Sequence, residues 1–418
     1  MGTAFSTALS ALNADSTAID VVGNNLANLN TTGFKASTVE FSDLMAEQLG
    51  TASGESQVGL GVGQVAAVQN FSQGSITNTG AALDAAIQGN GFFVVTDSNN
   101  NQLYTRDGSF QLNSDGVLQT VTGQDVQGWM ATNGVVNANG PTTNISVPVG
   151  SSIQPQATAN MSMGINLNSA TAVNGTFSAP IQVYDSLGQA HTLTVTFTET
   201  APENWNYAIT IPSTDLAAGA NNQVANGTLT FGSNGQLTNP AAVAPPGPQV
   251  PINFAVPGLA DGADDLNINW NVFDSNGNSL ITQYAQASAE SNPTQDGFAA
   301  GQISQVSIQN GGLVVASYTN GQQVTVGQLA VASIANPTSL ADVGDNNLQA
   351  TAATAQAAIG ASGAGGNGTI QGESLEASTT DMAAEFTNLL SYERSYQAAS
   401  RVITTADTLA QETVNLIH

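Results

Sequence analysis

A seven-residue apolar repeat at each end constrains this chain more than any other feature. Near the start, Phe5, Leu12, Ile19 and Leu26 lie seven apart, with Ala8, Val22 and Leu29 on the adjoining face. Ser, Thr, Asn and Asp fill the space between them, so the spacing predicts a helix with a narrow apolar seam. Gly23 and the Asn-rich stretch after it weaken the helix end, and Thr32-Gly33 reads as a stop. The last segment repeats the pattern for longer, through Leu375, Met382, Leu389, Tyr396, Ile403, Ala410 and Ile417. Phe386, Tyr392, Ala399, Ala406 and Val414 widen that stripe. Ser374 or Ser378 is expected to cap it, Ser378 with Asp381 in the S-x-x-D form of a capping box. At its rise per residue this helix would be roughly 60 Å long.

Helices of this kind need a partner along their length. Two arrangements satisfy them: an intramolecular two-helix hairpin, or pairing of the two ends followed by packing of the pair against other copies of the chain. The stripes are wide for a lone pair, which favours the second. Asp15 and Asp20 are expected to face Arg394 and Arg401, exposed pairs that contribute at most ~1 kcal/mol. Isolated helices are marginal in water, so the ends are expected to be disordered before assembly and to fold on it.

From about residue 70 to 360 the pattern changes to short strands and tight turns. Asn-Gly recurs at Asn90-Gly91, Asn133-Gly134, Asn174-Gly175, Asn226-Gly227, Asn234-Gly235, Asn276-Gly277, Asn310-Gly311 and Asn320-Gly321. Asn-Gly suits the left-handed geometry of two-residue hairpins. Between the turns lie β-branched or alternating runs such as Phe92-Phe-Val-Val-Thr96 and Thr192-Leu-Thr-Val-Thr-Phe197. The expected fold is therefore mainly β with α-helical termini: coiled-coil end helices and two β-rich domains. The Pro-rich stretch from Ala241 to Pro257 reads as a loop, and residues 357–372, rich in Gly, Ala and Asn, as a linker. Gly59 to Gly63 reads as a flexible piece.

Composition removes several function classes. Only 8% of residues are charged, and four basic residues stand against thirty acidic ones, for a formal net charge of -26. The four are Lys35, Arg106, Arg394 and Arg401. Nucleic acid and anionic membrane are bound by neutralising phosphates with Lys and Arg, so neither is an expected partner. No cysteine is present, which excludes disulfides and thiolate chemistry. No basic segment followed by an apolar run opens the sequence, so an exported form is expected to leave without a cleaved leader. No window approaches the ~20 apolar residues of a membrane span, and membrane insertion is not expected.

Catalytic and metal chemistry finds little support. Gly59-Leu-Gly-Val-Gly63 lacks the following Lys-Ser/Thr of a phosphate loop. Asp274-Ser-Asn-Gly-Asn278 imitates the start of a calcium loop, but Ser279 stands where Gly is needed and Ala285 where the bidentate Glu belongs. His191 lies next to a strand and is expected at a surface or edge; the other histidine, His418, is the last residue. Sequence alone shows no His–carboxylate cluster for a metal or a triad. The expectation is a structural subunit with no catalytic residue, cofactor or metal.

The motifs at both ends resemble a known family, the axial proteins of the bacterial flagellum. The N-terminal signature is Asn24-Asn-Leu-Ala-Asn-Leu-Asn-Thr-Thr-Gly-Phe-Lys35. The C-terminal one is Leu375-Glu-Ala-Ser378, then Tyr392-Glu-Arg-Ser-Tyr-Gln397 and Arg401-Val-Ile-Thr-Thr-Ala-Asp407. Tyr104-Thr-Arg-Asp-Gly-Ser-Phe110 and Gly123-Gln-Asp-Val-Gln-Gly-Trp129 are similar to the family's first β-domain. A long insert between Trp129 and Gly327-Gln-Leu-Ala-Val-Ala-Ser-Ile334, containing Val183-Tyr-Asp-Ser-Leu-Gly-Gln-Ala-His191, is similar to the hook branch rather than the rod branch. A distal rod subunit is the alternative within the family, and a secreted β-rich adhesin the alternative outside it. The sequence departs from the family at Thr379-Thr380 and at Tyr392-Glu393, without disturbing the seven-residue period.

The resemblance implies a nested layout. Residues 1–30 and 374–418 would form the helical polymerisation domain, and 31–69 and 358–373 the connecting segments. Residues 70–145 and 285–357 would form an inner β-domain, and 146–284 an outer one. It implies an extracellular tube of copies of this chain, linking rod to filament and transmitting torque. Rod proteins, hook–filament junction proteins, a hook cap and the type III export apparatus are the implied partners. The self-assembly seam would comprise Phe5, Leu12, Ile19, Leu26, Met382, Phe386, Leu389, Tyr396, Ile403 and Ile417. The family's export element, Phe-x-x-x-hydrophobic, fits Phe41 to Met45, and also Phe5 to Leu9.

Overall fold

The computed structural model describes residues 2–44, 47–51, 54–63, 65–243 and 247–415. The fold is mostly strand, with helix α1 (Gly2–Ala27) at one end of the sequence and helix α2 (Met382–Asn415) at the other. Two compact units emerge. The first gathers Met1–Val149, Gln305–Ser317 and Gln323–His418; the second holds Gly150–Ser304 and Tyr318–Gln322.

In the first unit the chain goes out and comes back beside itself. Strand Gln323–Leu329 lies antiparallel to Asp125–Thr132, with Trp129 opposite Gln328. Val331–Ser333 pairs with Phe92–Thr96, Thr369–Gly372 with Ala85–Gln88, and Ser374–Glu376 with Ile76–Asn78. Across these four pairs the returning strand meets one progressively nearer the N-terminus, which is the nested layout. Phe92, Val94, Tyr104, Trp129, Ala330, Ala332 and Leu348 pack together as an apolar core.

Both connecting segments carry strands. Ser37–Glu40 pairs with Ala66–Gln69, and Glu47–Thr51 with Gly54–Val58. Leu44 N–H donates to Gly61 O at 3.0 Å and Gly63 N–H to Ser42 O at 2.6 Å, so the glycine-rich piece is part of a two-stranded arm. The stretch read as a linker is likewise paired: Ala358–Gly360 lies against Val331–Ser333, and Ile370 is 2% exposed. Its glycines permit close backbone approach, which composition alone reads as looseness.

The second unit is a sandwich of two five-stranded sheets. One is an antiparallel meander of Thr176–Tyr184, Ala190–Ala201, Asn204–Thr210, Gln223–Phe231 and Leu237–Asn239. In the other, Asn160–Asn168 runs parallel to Leu266–Asn271 and Ile281–Tyr284 and antiparallel to Ala289–Gln295, and Ile252–Val256, within the stretch read as a Pro-rich loop, pairs antiparallel with Leu266–Asn271. That last strand carries the unit past residue 284. Burial alternates along the strands, so Met161, Met163, Ile165 and Leu167 meet Leu193, Val195, Phe197, Trp205 and Tyr207 in one core. Trp270 sits at its centre, its ring 5.4 Å from Tyr207, edge-on, and 6.3 Å from Phe197.

Two local expectations are corrected. The C-terminal helix begins at Met382, because Leu375 belongs to strand Ser374–Glu376. Its 34 residues span roughly 51 Å. Asp381, not Ser374 or Ser378, caps it: Oδ1 accepts from the N–H groups of Ala383 at 2.8 Å and Ala384 at 3.1 Å. His191 is not an edge residue. It is 4% exposed, with Asp215 Oδ2 3.0 Å from Nδ1 and Asp185 Oδ2 3.1 Å from Nε2. Asp215 and Asp261, a third carboxylate near the ring, are remote in sequence, so no local motif shows the grouping.

Candidate self-assembly surface

Helix α1 is gripped from two directions within its own unit. It packs along α2, and the two-stranded arm closes on it elsewhere. Val62 N–H donates to Ser10 Oγ at 3.2 Å, and Asn25 exchanges hydrogen bonds with the backbone of Ser37. Asn25 Nδ2 also donates to Glu385 Oε1 of α2 at 3.0 Å, tying arm, first helix and second helix at one side chain. The residues this buries are small or polar: Ala8, Ala14, Asp15, Ala18, Val22 and Asn25. Small side chains let the helices approach closely.

Helix α2 is covered far less. Ala399 is its single buried residue among those described. Glu385, Leu389, Tyr392, Ile403 and Ala406 are half-buried and, with the buried Ala399, follow spacings of four, three, seven, four and three that mark the face toward α1. Met382, Phe386, Leu390, Val402, Leu409 and Val414 are exposed, Phe386 by 51% and Leu409 by 51%.

The residues expected to form one seam therefore fall into two sets. Leu12, Ile19, Leu26, Leu389 and Ile403 are half-buried within the chain. Phe5, Met382, Phe386 and Tyr396 are exposed, Tyr396 by 37%. Ile417 lies outside the described residues. So does Met45 of the export element; Phe41 is exposed, with its ring 5.9 Å from that of Tyr392. The expected pairing of Asp15 and Asp20 with Arg394 and Arg401 does not form among the described residues, because both arginines sit on the exposed part of α2. Burial instead leaves Asp15 with a carboxyl pKa raised above its usual value.

The end helices join the β-structure through a buried ion triad that sequence reading did not single out. Glu376 Oε1 is 2.6 Å from Lys35 Nζ, and Oε2 is 3.0 Å from Arg106 Nη1; the Glu376 side chain is fully buried. Lys35 also donates to Ser72 O at 2.6 Å, and Arg106 Nη2 to Gly89 O at 2.8 Å. Gly74 N–H donates to Glu376 Oε1 at 2.7 Å, while the guanidinium lies 5.4 Å from the Phe92 ring centre. Burial pushes the Lys35 ammonium pKa down, and the hydrogen bond to Glu376 opposes that shift. Gly33 completes the joint. Its φ of +68° suits glycine, and a Cβ there would lie 2.5 Å from the Arg106 carbonyl carbon. The N-terminal, first β-domain and C-terminal motifs thus meet at one carboxylate.

Comparison with known proteins matches this layout segment by segment. Residues 5–35 match the family described as flagella basal body rod protein, and 371–416 the flagellar basal body rod FlgEFG protein C-terminal family. Residues 86–169 match the flagellar hook protein FlgE/F/G D1 domain, and 166–298 the flagellar basal body protein FlaE D2 domain. The class is thus an axial protein of the bacterial flagellum. Over 99% of its length the chain is 35% identical to the flagellar hook protein FlgE of Escherichia coli, covering 100% of that protein. It is 32% identical to the flagellar hook protein FlgE of Borreliella burgdorferi, with 98% of each covered. The chain belongs to the flagellar hook protein family, structural components of the flagellum outside the cell membrane and not enzymes. The crystal structure of Helicobacter pylori flagellar hook protein FlgE2 shares the fold, with a TM-score of 0.51 over 71% of this chain and 99% of that one, at 12% identity.

Replacing Glu376 with Gln leaves two buried cations without their anion. Glu376→Gln is expected to cost about 3–5 kcal/mol, read by denaturant unfolding of the first unit. Asp15 gives the opposite sign. Its raised pKa means that the fold disfavours the ionised form. Asp15→Asn should therefore stabilise the helix pair at neutral pH, and the gain should disappear once pH falls below 3.8, where both states are protonated. Helical circular dichroism during thermal unfolding at the two pH values checks both halves of that statement.

Proposed function

We propose that this chain polymerises into the flexible tube of the flagellar hook, and that the uncovered faces of its end helices are the seams between copies. The observation that carries the reading is the asymmetry of α2, a 34-residue helix with one buried side chain and exposed Met382, Phe386, Leu390 and Leu409. A free chain leaves those apolar side chains in water, and neighbouring helices cover them. Contacts that do not close into a ring build an open helical assembly. In such a tube, Phe5, Met382, Phe386 and Tyr396 face other copies. Leu12, Ile19, Leu26, Leu389 and Ile403 serve chiefly the pairing within one chain.

The tube would join rod to filament and carry motor torque while bent. Its further partners would be rod and junction proteins at its two ends, a cap during growth, and the type III export apparatus. Phe41, exposed near the start of the arm, would belong to the export element. The few charged residues suit outer domains that slide past one another, since few ion pairs need breaking.

The division into inner and outer faces has a direct test. Phe386→Asp should leave the monomer's helical content and unfolding unchanged and abolish tubes in electron micrographs. Leu389→Asp should lower monomer helicity as well as block assembly. Normal tubes from Phe386→Asp would refute the proposed seam.

A further inference from the structure

The second unit contains a grouping with the make-up of a metal centre. His191, at the start of strand Ala190–Ala201, points Nε2 toward two carboxylates: Asp185 Oδ2 at 3.1 Å and Asp261 Oδ2 at 3.8 Å. These three atoms lie within 4.8 Å of one another. A tetrahedral zinc ion with bonds of ~2.0–2.1 Å sets its ligand atoms roughly 3.3 Å apart. The observed separations bracket that value, so small side-chain shifts would admit an ion.

Each group is held by a second bond that leaves the converging atom available. Asp185 Oδ1 accepts from the N–H groups of Leu187 and Gln189, both at 2.8 Å, which leaves Oδ2 directed at the ring. Asp261 Oδ1 accepts from Ala263 N–H at 3.0 Å, again leaving Oδ2. On the far side of the ring, Asp215 Oδ2 lies 3.0 Å from Nδ1. This is the carboxylate–histidine–metal arrangement, in which the outer carboxylate fixes the tautomer and turns Nε2 toward the ion.

Charge argues the same way. Asp185 is fully buried and His191 nearly so, while Asp261 keeps 30% of its side chain exposed and gives an ion a way in. One Nε2 proton can serve only one carboxylate fully, and at 3.8 Å Asp261 is beyond a hydrogen bond. A divalent cation there neutralises both carboxylates at once. One imidazole nitrogen with two carboxylate oxygens and an open position suits zinc rather than calcium or magnesium, which prefer all-oxygen shells.

We propose that Asp185, His191 and Asp261 bind a zinc-class divalent ion, with Asp215 as the orienting group. The ion takes the place of the Nε2 proton, which passes to solvent. It would staple the turn and strand start around Asp185 and His191 to the loop before Leu266–Asn271, with the short helix Ser213–Asp215 joined through the Asp215–His191 hydrogen bond.

The full-length monomer, stripped with chelator, is titrated with zinc chloride by calorimetry and by thermal unfolding. One saturable site and a melting temperature that rises with zinc are expected. Asp261→Asn, at the partly exposed ligand, should weaken that site at least tenfold while circular dichroism of the apo protein stays unchanged. Asp215→Asn should weaken it about 10–100-fold with the stoichiometry kept. No saturable site, a site indifferent to Asp261→Asn, or equal response to calcium would overturn the proposal.

Discussion

The first unit depends on a single buried carboxylate. Glu376 lies on the last strand before α2, Lys35 just beyond α1, and Arg106 within the β-structure; all three side chains are shielded from water. A buried ion group is weak evidence for net stability, since desolvation offsets its Coulomb gain. Its effect here is on placement. Any shift of the returning strand relative to the outgoing ones would strand two cations in an apolar setting. An apolar cluster can repack around a small displacement; this triad, held at fixed hydrogen-bond distances, does not. It fixes where both helices leave the sheet, and so how α1 and α2 meet.

Charge is allocated sparingly throughout. With four basic residues in 418, two are committed to Glu376, and Arg394 and Arg401 are exposed on α2. The α1–α2 pairing then relies on small residues, on Asn25 and on Glu385 rather than on ion pairs. Asp15 and Glu385 are both carboxylates whose pKa burial raises. The helix pair is thus held with some electrostatic cost that neighbouring apolar surface must offset.

Much of this was legible in the sequence because its signals are periodic or local. The end helices follow from Phe5, Leu12, Ile19 and Leu26 and the longer series after Leu375. The strands follow from alternation, and many of their turns from Asn-Gly. What was not legible depends on tertiary neighbours. The period alone could not separate Leu389, turned toward α1, from Phe386, turned away, because both fit a wide stripe. Leu375 fits the seven-residue series yet pairs as a strand with Thr77, since backbone pairing overrides a pattern shared by both states. Asp381 outranks Ser378 as a cap through geometry that spacing does not encode. Glu376 and Lys35 were visible within motifs, but their meeting across 341 positions is a property of the fold. The grouping around His191 was hidden for the same reason.

The out-and-back path also governs the order in which the molecule can become itself. Strand Ile76–Asn78 has no antiparallel neighbour until Ser374–Glu376 exists beside it, and Ala85–Gln88 waits for Thr369–Gly372. A chain emerging end-first from a ribosome or a narrow conduit therefore carries a first unit that stays open until nearly its whole length is out. The second unit, drawn almost entirely from one continuous stretch, meets no such delay. Topology thus acts as a built-in latency, withholding the terminal helices' permanent pairing until both of them are free.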